Sequence, residues 1–229
     1  MIFRQLFEPA TSTYTYLLAC PRTREAALID PVLEDVDRYV VLLQQLGLTL
    51  SYTLETHVHA DHVTGAAVLR ERLGSKTVVH AAAGVECADL FVREGDQLRV
   101  GDLRIGVLEV PGHTDADVAY LVDDRVFTGD ALLIDGCGRT DFQHGDAGKL
   151  YDNLHTKIFS LPPDTLVYPG HDYRGNSVST VQQERTTNAR LGGGRTREAF
   201  VALMAELKLP LPKHIHRAVP ANRACGSEA

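Results

Sequence analysis

Tryptophan is absent from this 229-residue chain, and cysteine and methionine are scarce, with four and two residues. No apolar run approaches the length that spans a bilayer, so the sequence predicts no transmembrane helix. The start of the chain also lacks the basic segment, the long apolar stretch and the small-residue cleavage site of a signal peptide. We therefore expect a cytoplasmic protein that does not act at a membrane.

The cysteines are spread widely, and none belongs to a Cys-x-x-Cys pair. That spacing argues against a structural zinc knuckle and against a thioredoxin-type redox motif. Scattered cysteines in a cytosolic protein are more often reduced than bridged, so we expect thiols at all four positions. They are Cys20, Cys87, Cys137 and Cys225. We expect Cys225 to be buried and inert.

A surplus of basic residues is also missing. Lysine and arginine number 23 against 30 aspartates and glutamates, which gives a net charge of −7 at pH 7. This balance argues against a general nucleic-acid or anionic-membrane binder, although a local pocket can still be basic and take a small anion. The contents of 44% hydrophobic and 23% charged residues are those of a globular protein with a real core.

Strand-like and helix-like segments alternate in each half of the chain, which predicts an α/β fold, an αββα sandwich, as a single domain over all 229 residues. The β-rich stretch Thr49–Thr56 runs into a histidine cluster. Val63–Leu73 follows as a helix, with Asp61 placed to cap it. Asp30 precedes a proline, where we predict a turn. The tail at 210–229 has three prolines and weak periodicity, so it is predicted to be irregular.

Histidine and aspartate residues form a pattern that is typical of a metal site. The cluster His57-Val58-His59-Ala60-Asp61-His62 comes first, and His113, Asp130 and His171 each follow a later apolar, β-like stretch. Neutral imidazoles and carboxylates are the ligands of borderline divalent ions. Without a cation, such a group of side chains would repel or shift its pKa values strongly. The whole pattern therefore predicts a metal-dependent enzyme, whereas a lone histidine usually has no such role.

The order of these residues resembles the metallo-β-lactamase superfamily, and the likeness extends over nearly the whole chain. A finer resemblance is to the persulfide dioxygenase family, also called the ethylmalonic encephalopathy protein family. The segments that carry it are His57–Gly65, Phe127–Ile134, Gly136–Phe142, His171–Tyr173, Val178–Val181 and Val219–Asn222. The most diagnostic stretch is Gly138-Arg139-Thr140-Asp141-Phe142.

This resemblance implies one non-haem Fe(II) per chain, held by His57, His113 and Asp130. Two imidazoles and one carboxylate on one face leave positions open for oxygen chemistry. The other polar residues of the pattern would surround the iron without binding it, with Asp61 and His171 as catalytic residues and His59 and His62 as support for the ligands. In hydrolytic relatives the same positions hold two metals, and the residues alone do not separate the two cases.

The implied reaction converts glutathione persulfide, O₂ and water to sulfite and glutathione. Glutathione brings two carboxylates, and arginine binds carboxylates bidentately. By resemblance Tyr173 and Arg190 are the substrate-binding candidates, and Arg139, a third, lies nearer the structural support of the site. A surface ion pair is an equally good interpretation of any one of these arginines. The family also implies a homodimer.

The loop after His113 departs from the superfamily pattern. Many members have His-Thr-Pro-Gly there, whereas this chain has His113-Thr114-Asp115-Ala116-Asp117. We therefore expect a different loop conformation beside the metal, with Asp115 as a source of negative charge.

Two other functions stay open. Glyoxalase II is a binuclear thioester hydrolase that also uses glutathione and shares the histidine cluster. It usually has a larger C-terminal helical domain than residues 210–229 can form. A non-catalytic sulfur carrier would instead need a reactive cysteine in an electropositive setting. Cys137 and Cys225, each two residues from an arginine, are the candidates for that role.

Overall fold

The structure is a computed structural model that describes residues 1–212 and 214–227. These residues form two compact units. The first unit comprises Met1–Val92, Gln97–Ile105 and the described residues from Leu211 onward, and the second comprises Arg93–Asp96 and Gly106–Pro210. The single domain expected from the sequence stays a prediction.

The described residues form twelve strands and six α-helices. In chain order the elements are β1 (Ile2–Glu8), β2 (Thr13–Ala19), β3 (Glu25–Ile29), α1 (Val36–Leu46), β4 (Thr49–Leu54), α2 (Ala66–Leu73), β5 (Lys76–His80), β6 (Leu90–Val92), β7 (Gln97–Val100), β8 (Leu103–Glu109), β9 (Val118–Val122), β10 (Arg125–Gly129), α3 (Ala147–Asn153), β11 (Leu166–Pro169), β12 (Ser179–Thr180), α4 (Val181–Thr187), α5 (Arg197–Glu206) and α6 (Ile215–Arg223). No helix among them has the length and hydropathy to cross a membrane.

The first unit is built on a six-stranded sheet with the order β1-β2-β3-β4-β5-β6. β1, β2 and β3 pair antiparallel, whereas β3, β4, β5 and β6 pair parallel. Parallel neighbours need a crossover connection, and α1 and α2 supply the crossovers before and after β4. The loop that leaves the carboxyl end of β4 is therefore an expected place for a functional site.

The helix α1 shows why the sequence folds this way locally. Its residues Val36, Tyr39, Val40 and Leu43 recur at helical spacing and are all buried. They pack with apolar residues of the sheet, including Leu17 and Leu28. The helix ends at Leu46, and the next residue, Gly47, has a φ of +59°, the left-handed conformation that glycine adopts without a steric cost.

A second six-stranded sheet has the order β12-β11-β10-β9-β8-β7. Within the second unit, β9 pairs antiparallel with β10, and β10 pairs parallel with β11. Its core includes Val126 of β10, Leu150 of α3 and Phe200 of α5, all fully buried. Gly129 and Pro169, which end β10 and β11, are paired neighbours, so the residues that follow these two strands start from one edge of the sheet.

Two predictions about local structure are wrong. The helix α2 begins at Ala66 and not at Val63, and its cap residue is Gly65, so Asp61 does not cap it. The tail is not wholly irregular, because Ile215–Arg223 forms α6 with Pro220 inside it. Proline suggests a break in a helix, but α6 keeps Ala218 and Ala221 buried against Val63, and this packing stabilises it.

Candidate metal centre

The histidine cluster fills the loop that follows β4 in the first unit. His57, His59 and His62 are all buried, with side chains exposed by no more than a few per cent. Buried imidazoles need polar partners. The partners come from Asp30 after β3, from Glu55 and Thr56 at the start of the loop, and from the cluster itself.

The ring of His57 is oriented by a chain of hydrogen bonds. The hydroxyl of Thr56 donates its one hydrogen to Oδ2 of Asp30 over 2.8 Å. Oγ1 of Thr56 also lies 3.0 Å from Nδ1 of His57. Because the hydroxyl has already donated its hydrogen to Asp30, it can only accept from His57, so Nδ1 carries the proton. With this tautomer, Nε2 is the nitrogen of His57 whose lone pair could bind a cation.

His59 lies between two carboxylates. Its Nε2 is 3.1 Å from Oδ1 of Asp30 and 3.4 Å from Oε2 of Glu55. Burial lowers the pKa of His59, but the charges and hydrogen bonds of these two carboxylates outweigh it and hold that pKa well above its usual value. Its other nitrogen, Nδ1, is buried and has no hydrogen-bond partner in the described part of the chain.

The sequence identifies neither Asp30 nor Glu55 as part of the site. Asp30 does have the turn conformation expected before Pro31, with a φ of +49°. However, it is buried and its carboxylate accepts hydrogen bonds from the backbone and hydroxyl of Thr56. The sequence feature that could have identified them is their position: each is an acidic residue directly after an apolar β-strand, at the strand ends where functional sites form.

Asp61 and His62 form a hydrogen-bonded pair. Oδ2 of Asp61 lies 2.9 Å from Nδ1 of His62 and accepts from the hydroxyl of Thr13 over 3.4 Å. These contacts explain why Asp61 is not available as a helix cap. His59, Asp61 and His62 each offer a ligand atom, and these atoms lie within 4.8 Å of one another. The first unit thus holds a group of donors that could take a cation.

In the second unit, His113 is oriented by the loop that contains the stretch Gly138-Arg139-Thr140-Asp141-Phe142. Its Nδ1 lies 2.7 Å from the carbonyl oxygen of Arg139, which can only accept, so Nδ1 is protonated and Nε2 is the nitrogen whose lone pair could bind a cation. Nε2 of His113 is 3.8 Å from Oδ2 of Asp130. Two ligand atoms at that separation can bind one ion, since metal bonds to imidazole and carboxylate are about 2.0–2.2 Å long.

Asp130 follows β10 and is held by His171, which follows β11. Nδ1 of His171 lies 2.7 Å from Oδ1 of Asp130. The preceding residue, Gly170, has no room for a side chain, because a Cβ there would lie 2.7 Å from the same oxygen. His171 therefore fixes one carboxylate oxygen of Asp130, and the other faces His113.

The unusual loop after His113 is fastened by Asp117. Its carboxylate accepts from the backbone N–H and the hydroxyl of Thr114 over 2.7 and 2.6 Å. Burial raises the pKa of Asp117 to about 6, although the charge of His113 and the bonds from Thr114 oppose this. Asp115, expected to bring charge to the metal, is exposed, and Asp117 is the buried carboxylate of this loop.

The three substrate-binding candidates lie in different surroundings. Tyr173 is 73% exposed, and its ring is nearly parallel to that of His171, with centroids 6.0 Å apart. Arg190 donates to the carbonyl of Cys137 over 2.6 Å. Arg139 pairs bidentately with Asp141 over 2.6 Å and donates to the carbonyls of Leu209 and Pro210. The two arginines therefore support backbone, whereas the side chain of Tyr173 is mostly exposed.

The prediction of four reduced cysteines is wrong. Cys87 and Cys225, 138 positions apart in the sequence, form a disulfide, whereas Cys20 and Cys137 are buried thiols. Burial raises the pKa of Cys137 to about 11 despite the nearby Arg190. A sulfur carrier needs a low-pKa, accessible thiol, so neither Cys137 nor Cys225 has the properties of one.

Comparisons with known proteins agree with these features. A family model described as the metallo-beta-lactamase superfamily matches residues 9–171. The chain is 50% identical to the mitochondrial persulfide dioxygenase ETHE1 of Homo sapiens, over 99% of this chain and 89% of that protein. It is 54% identical to ETHE1 from Myxococcus xanthus, whose crystal structure superposes with a TM-score of 0.97 over 99% of this chain and 100% of that one. The hydroxyacylglutathione hydrolase of a Polaromonas species is 34% identical over 79% of this chain and 70% of that protein.

Proposed function

Because the chain belongs to the metallo-β-lactamase superfamily and, within it, to the persulfide dioxygenases, we propose that one Fe(II), held by His57, His113 and Asp130, serves its reaction. The substrate in this proposal is glutathione persulfide, which reacts with O₂ and water to give sulfite and glutathione. The family also confirms the predicted α/β metallo-β-lactamase fold.

The observation that carries the proposal is the orientation of His113 by the carbonyl oxygen of Arg139. It supports a metal, because it turns Nε2 of His113 toward Oδ2 of Asp130, and these are two donors of the expected types. It also supports this family, because Arg139 lies in the loop that most resembles persulfide dioxygenases.

The donor set fits iron of this kind. Two imidazoles and one carboxylate form the face that non-haem Fe(II) oxygenases use, and such a centre supplies open positions where O₂ and a sulfur ligand can react. His57 and His113 each have the tautomer that this role requires. Asp130 keeps its carboxylate in place through His171.

Around that centre the protein positions the reactants and excludes water. Persulfide and O₂ meet productively when both are held close together in a buried site, which lowers the entropic part of the barrier. We assign Asp61 and His171 to this task, with His59 and His62 as supports. His171 orients Asp130 directly, and Asp61 orients His62.

Of the three candidates for contact with glutathione, Tyr173, Arg190 and Arg139, Tyr173 is the best placed. Its exposed ring lies beside His171, and its hydroxyl can donate to a glutathione carboxylate. Arg190 has a guanidinium with several donors, of which one binds the carbonyl of Cys137. The remaining donors can bind a carboxylate, which makes Arg190 a second anchor.

Two further properties are part of the proposal. We propose a homodimer, on the strength of the family, and sedimentation of the purified chain tests it. We also propose the cytoplasm as the location, although the relatives from Homo sapiens and Mus musculus are named as mitochondrial. Because disulfides are rare in the cytoplasm, this location predicts that Cys87 and Cys225, which the structure joins, are thiols in the cell.

A binuclear thioester hydrolase is the second candidate function. The donor group of His59, Asp61 and His62 favours it, because it could hold a second ion. The likeness to a hydroxyacylglutathione hydrolase is weaker than the likeness to the persulfide dioxygenases, at 34% against 50% identity.

Oxygen uptake separates the two functions. Anaerobically purified, iron-loaded protein is given glutathione persulfide in an oxygen electrode, and metal per chain is measured on the same sample. We expect one O₂ consumed for each sulfite formed, one iron per chain, and loss of both iron and activity in Asp130→Asn. Asp164→Asn, which makes the same change at an exposed position, should behave as wild type. Hydrolysis of S-lactoylglutathione with two metals per chain and no oxygen uptake would refute the proposal.

A further inference from the structure

Asn222, on helix α6, binds the backbone of the histidine cluster with three hydrogen bonds. Its Nδ2 donates to the carbonyl oxygens of His59 and His62, and its Oδ1 accepts from the N–H of Thr64, all over 2.8 Å. The side chain is buried, with 5% of its surface exposed. One amide from the end of the chain thus joins both sides of the loop that carries the cluster.

The pattern of these partners requires an asparagine amide. Two carbonyl oxygens need two donors, and one N–H needs an acceptor, and the amide of Asn222 supplies both in a single orientation. An aspartate has the same shape but offers only acceptors when ionised. Its oxygen would then face the carbonyls of His59 and His62, leaving two buried acceptors without a donor.

The end of the chain is fastened so that Asn222 stays in place. The carbonyl of Cys225 accepts from the N–H of Ala67 over 2.9 Å, at the start of α2. Cys225 is also tied covalently to Cys87. At Gly226 the backbone approaches the carbonyl of Thr64 so closely that a Cβ would not fit.

We propose that Asn222 is a positioning residue of the metal centre, which fixes the loop so that the imidazole of His57 meets the metal. The inference rests on the proposed function, in which His57 is a ligand. The rings of the cluster transmit the restraint, because the centroid of His59 lies 4.1 Å from that of His57 and 4.3 Å from that of His62. A shift of the backbone at His59 or His62 would therefore move the ligand.

The test compares Asn222→Asp with Arg223→Gln, an exposed change in the next residue of the same helix. Both metal-depleted variants and the wild type are titrated with Co(II) as a spectroscopic probe. We expect Asn222→Asp to lose about 10- to 100-fold in Co(II) affinity, as is usual when a residue that orients a ligand is replaced. Arg223→Gln should keep the wild-type affinity, and an unchanged affinity in Asn222→Asp would overturn the inference.

Two further measurements complete the design. At saturating Co(II), a displaced ligand changes the visible absorption spectrum, and we expect that change in Asn222→Asp. A wild-type spectrum would mean that the substitution only destabilises the chain and leaves the site intact, which would overturn the inference. If Asn222→Asp does not fold, amide hydrogen exchange of Thr64 in the metal-depleted wild type decides. Exchange at least 100-fold slower than in an unstructured peptide is expected, and unprotected exchange would contradict the inference.

His57→Ala separates this inference from the proposed function. If His57→Ala binds Co(II) as tightly as the wild type, His57 is not a ligand and the proposed metal centre fails. If His57→Ala loses affinity and Asn222→Asp does not, only the role of Asn222 fails.

Discussion

The backbone carbonyl of Arg139 accepts a hydrogen bond of 2.7 Å from Nδ1 of His113. Since the carbonyl has no proton to give, the bond selects one tautomer of His113 and points its other nitrogen toward Asp130. The loop whose sequence most resembles persulfide dioxygenases is therefore in direct contact with a proposed metal ligand.

Gly138→Ala should damage the metal centre. A Cβ at Gly138 would lie 2.7 Å from Nδ1 of His113 and would also clash with the carbonyl of Asp130, so the loop would have to move. We expect a loss of at least about 10-fold in metal affinity, because the orientation of both ligands would change. Isothermal titration with Fe(II) or Co(II) under anaerobic conditions measures it.

Gly136→Ala is the matched control, since a Cβ at Gly136 meets nothing within 4 Å. It should bind metal as the wild type does. Equal affinity in the two alanine variants would mean that the contact of the loop with His113 has no effect on the metal.

Substitutions of Tyr173 and Arg139 should have different effects, the first on substrate binding and the second on the stability of the loop. Tyr173 is exposed, so Tyr173→Phe should raise KM for glutathione persulfide about 10- to 150-fold, because a hydrogen bond to a charged group is worth about 1.5–3 kcal/mol. Arg139→Lys cannot keep the bidentate pair with Asp141, so it should lower stability and metal content with little change in KM. Steady-state kinetics and thermal unfolding of both variants check this. A KM unaffected by Tyr173→Phe would remove Tyr173 from the binding site.

Cys137 should be inert in the folded protein. Its pKa is raised to about 11 by burial, against 9.0 for an unperturbed thiol, so at pH 8 the reactive thiolate is about 100-fold less populated than in an unfolded chain. Alkylation of Cys137 by iodoacetamide should be slower by at least that factor, as mass spectrometry can measure. Cys137→Ala should keep persulfide oxidation. If Cys137→Ala lost persulfide oxidation while Asp130→Asn kept it, the sulfur-carrier interpretation would be supported instead.

The sequence predicts the strands and helices that set up the metal centre, because apolar periodicity and the strand-to-loop positions of His57, His113 and Asp130 are local signals. It does not predict what orients the ligands. The sequence predicts Asp30 as a turn residue, and its φ of +49° agrees with that prediction. Its hydrogen-bond partner Thr56, however, is 26 positions away in the sequence. Asn222 is 160 positions from His62, whose carbonyl it binds. Such partners are set by tertiary packing, which no local pattern encodes.

The disulfide between Cys87 and Cys225 should be a major source of stability for the first unit. It closes a sequence separation of 138 residues, and removing a disulfide commonly costs about 2–5 kcal/mol in the free energy of unfolding. Cys87→Ser, which leaves the buried Cys225 as a thiol, should show that loss in urea-induced unfolding without reductant.

Reductant provides the internal control for this prediction. The wild type with reductant should match Cys87→Ser, and Cys87→Ser should not respond to reductant. In denaturant without reductant, the wild type should expose two titratable thiols, those of Cys20 and Cys137. Four thiols in protein alkylated at the moment of cell lysis would mean that the bond does not form in the cell. In that case no covalent bond would hold the end of α6 to the first unit, the hydrogen bonds of Asn222 would matter more, and the effect of Asn222→Asp on metal affinity should be larger.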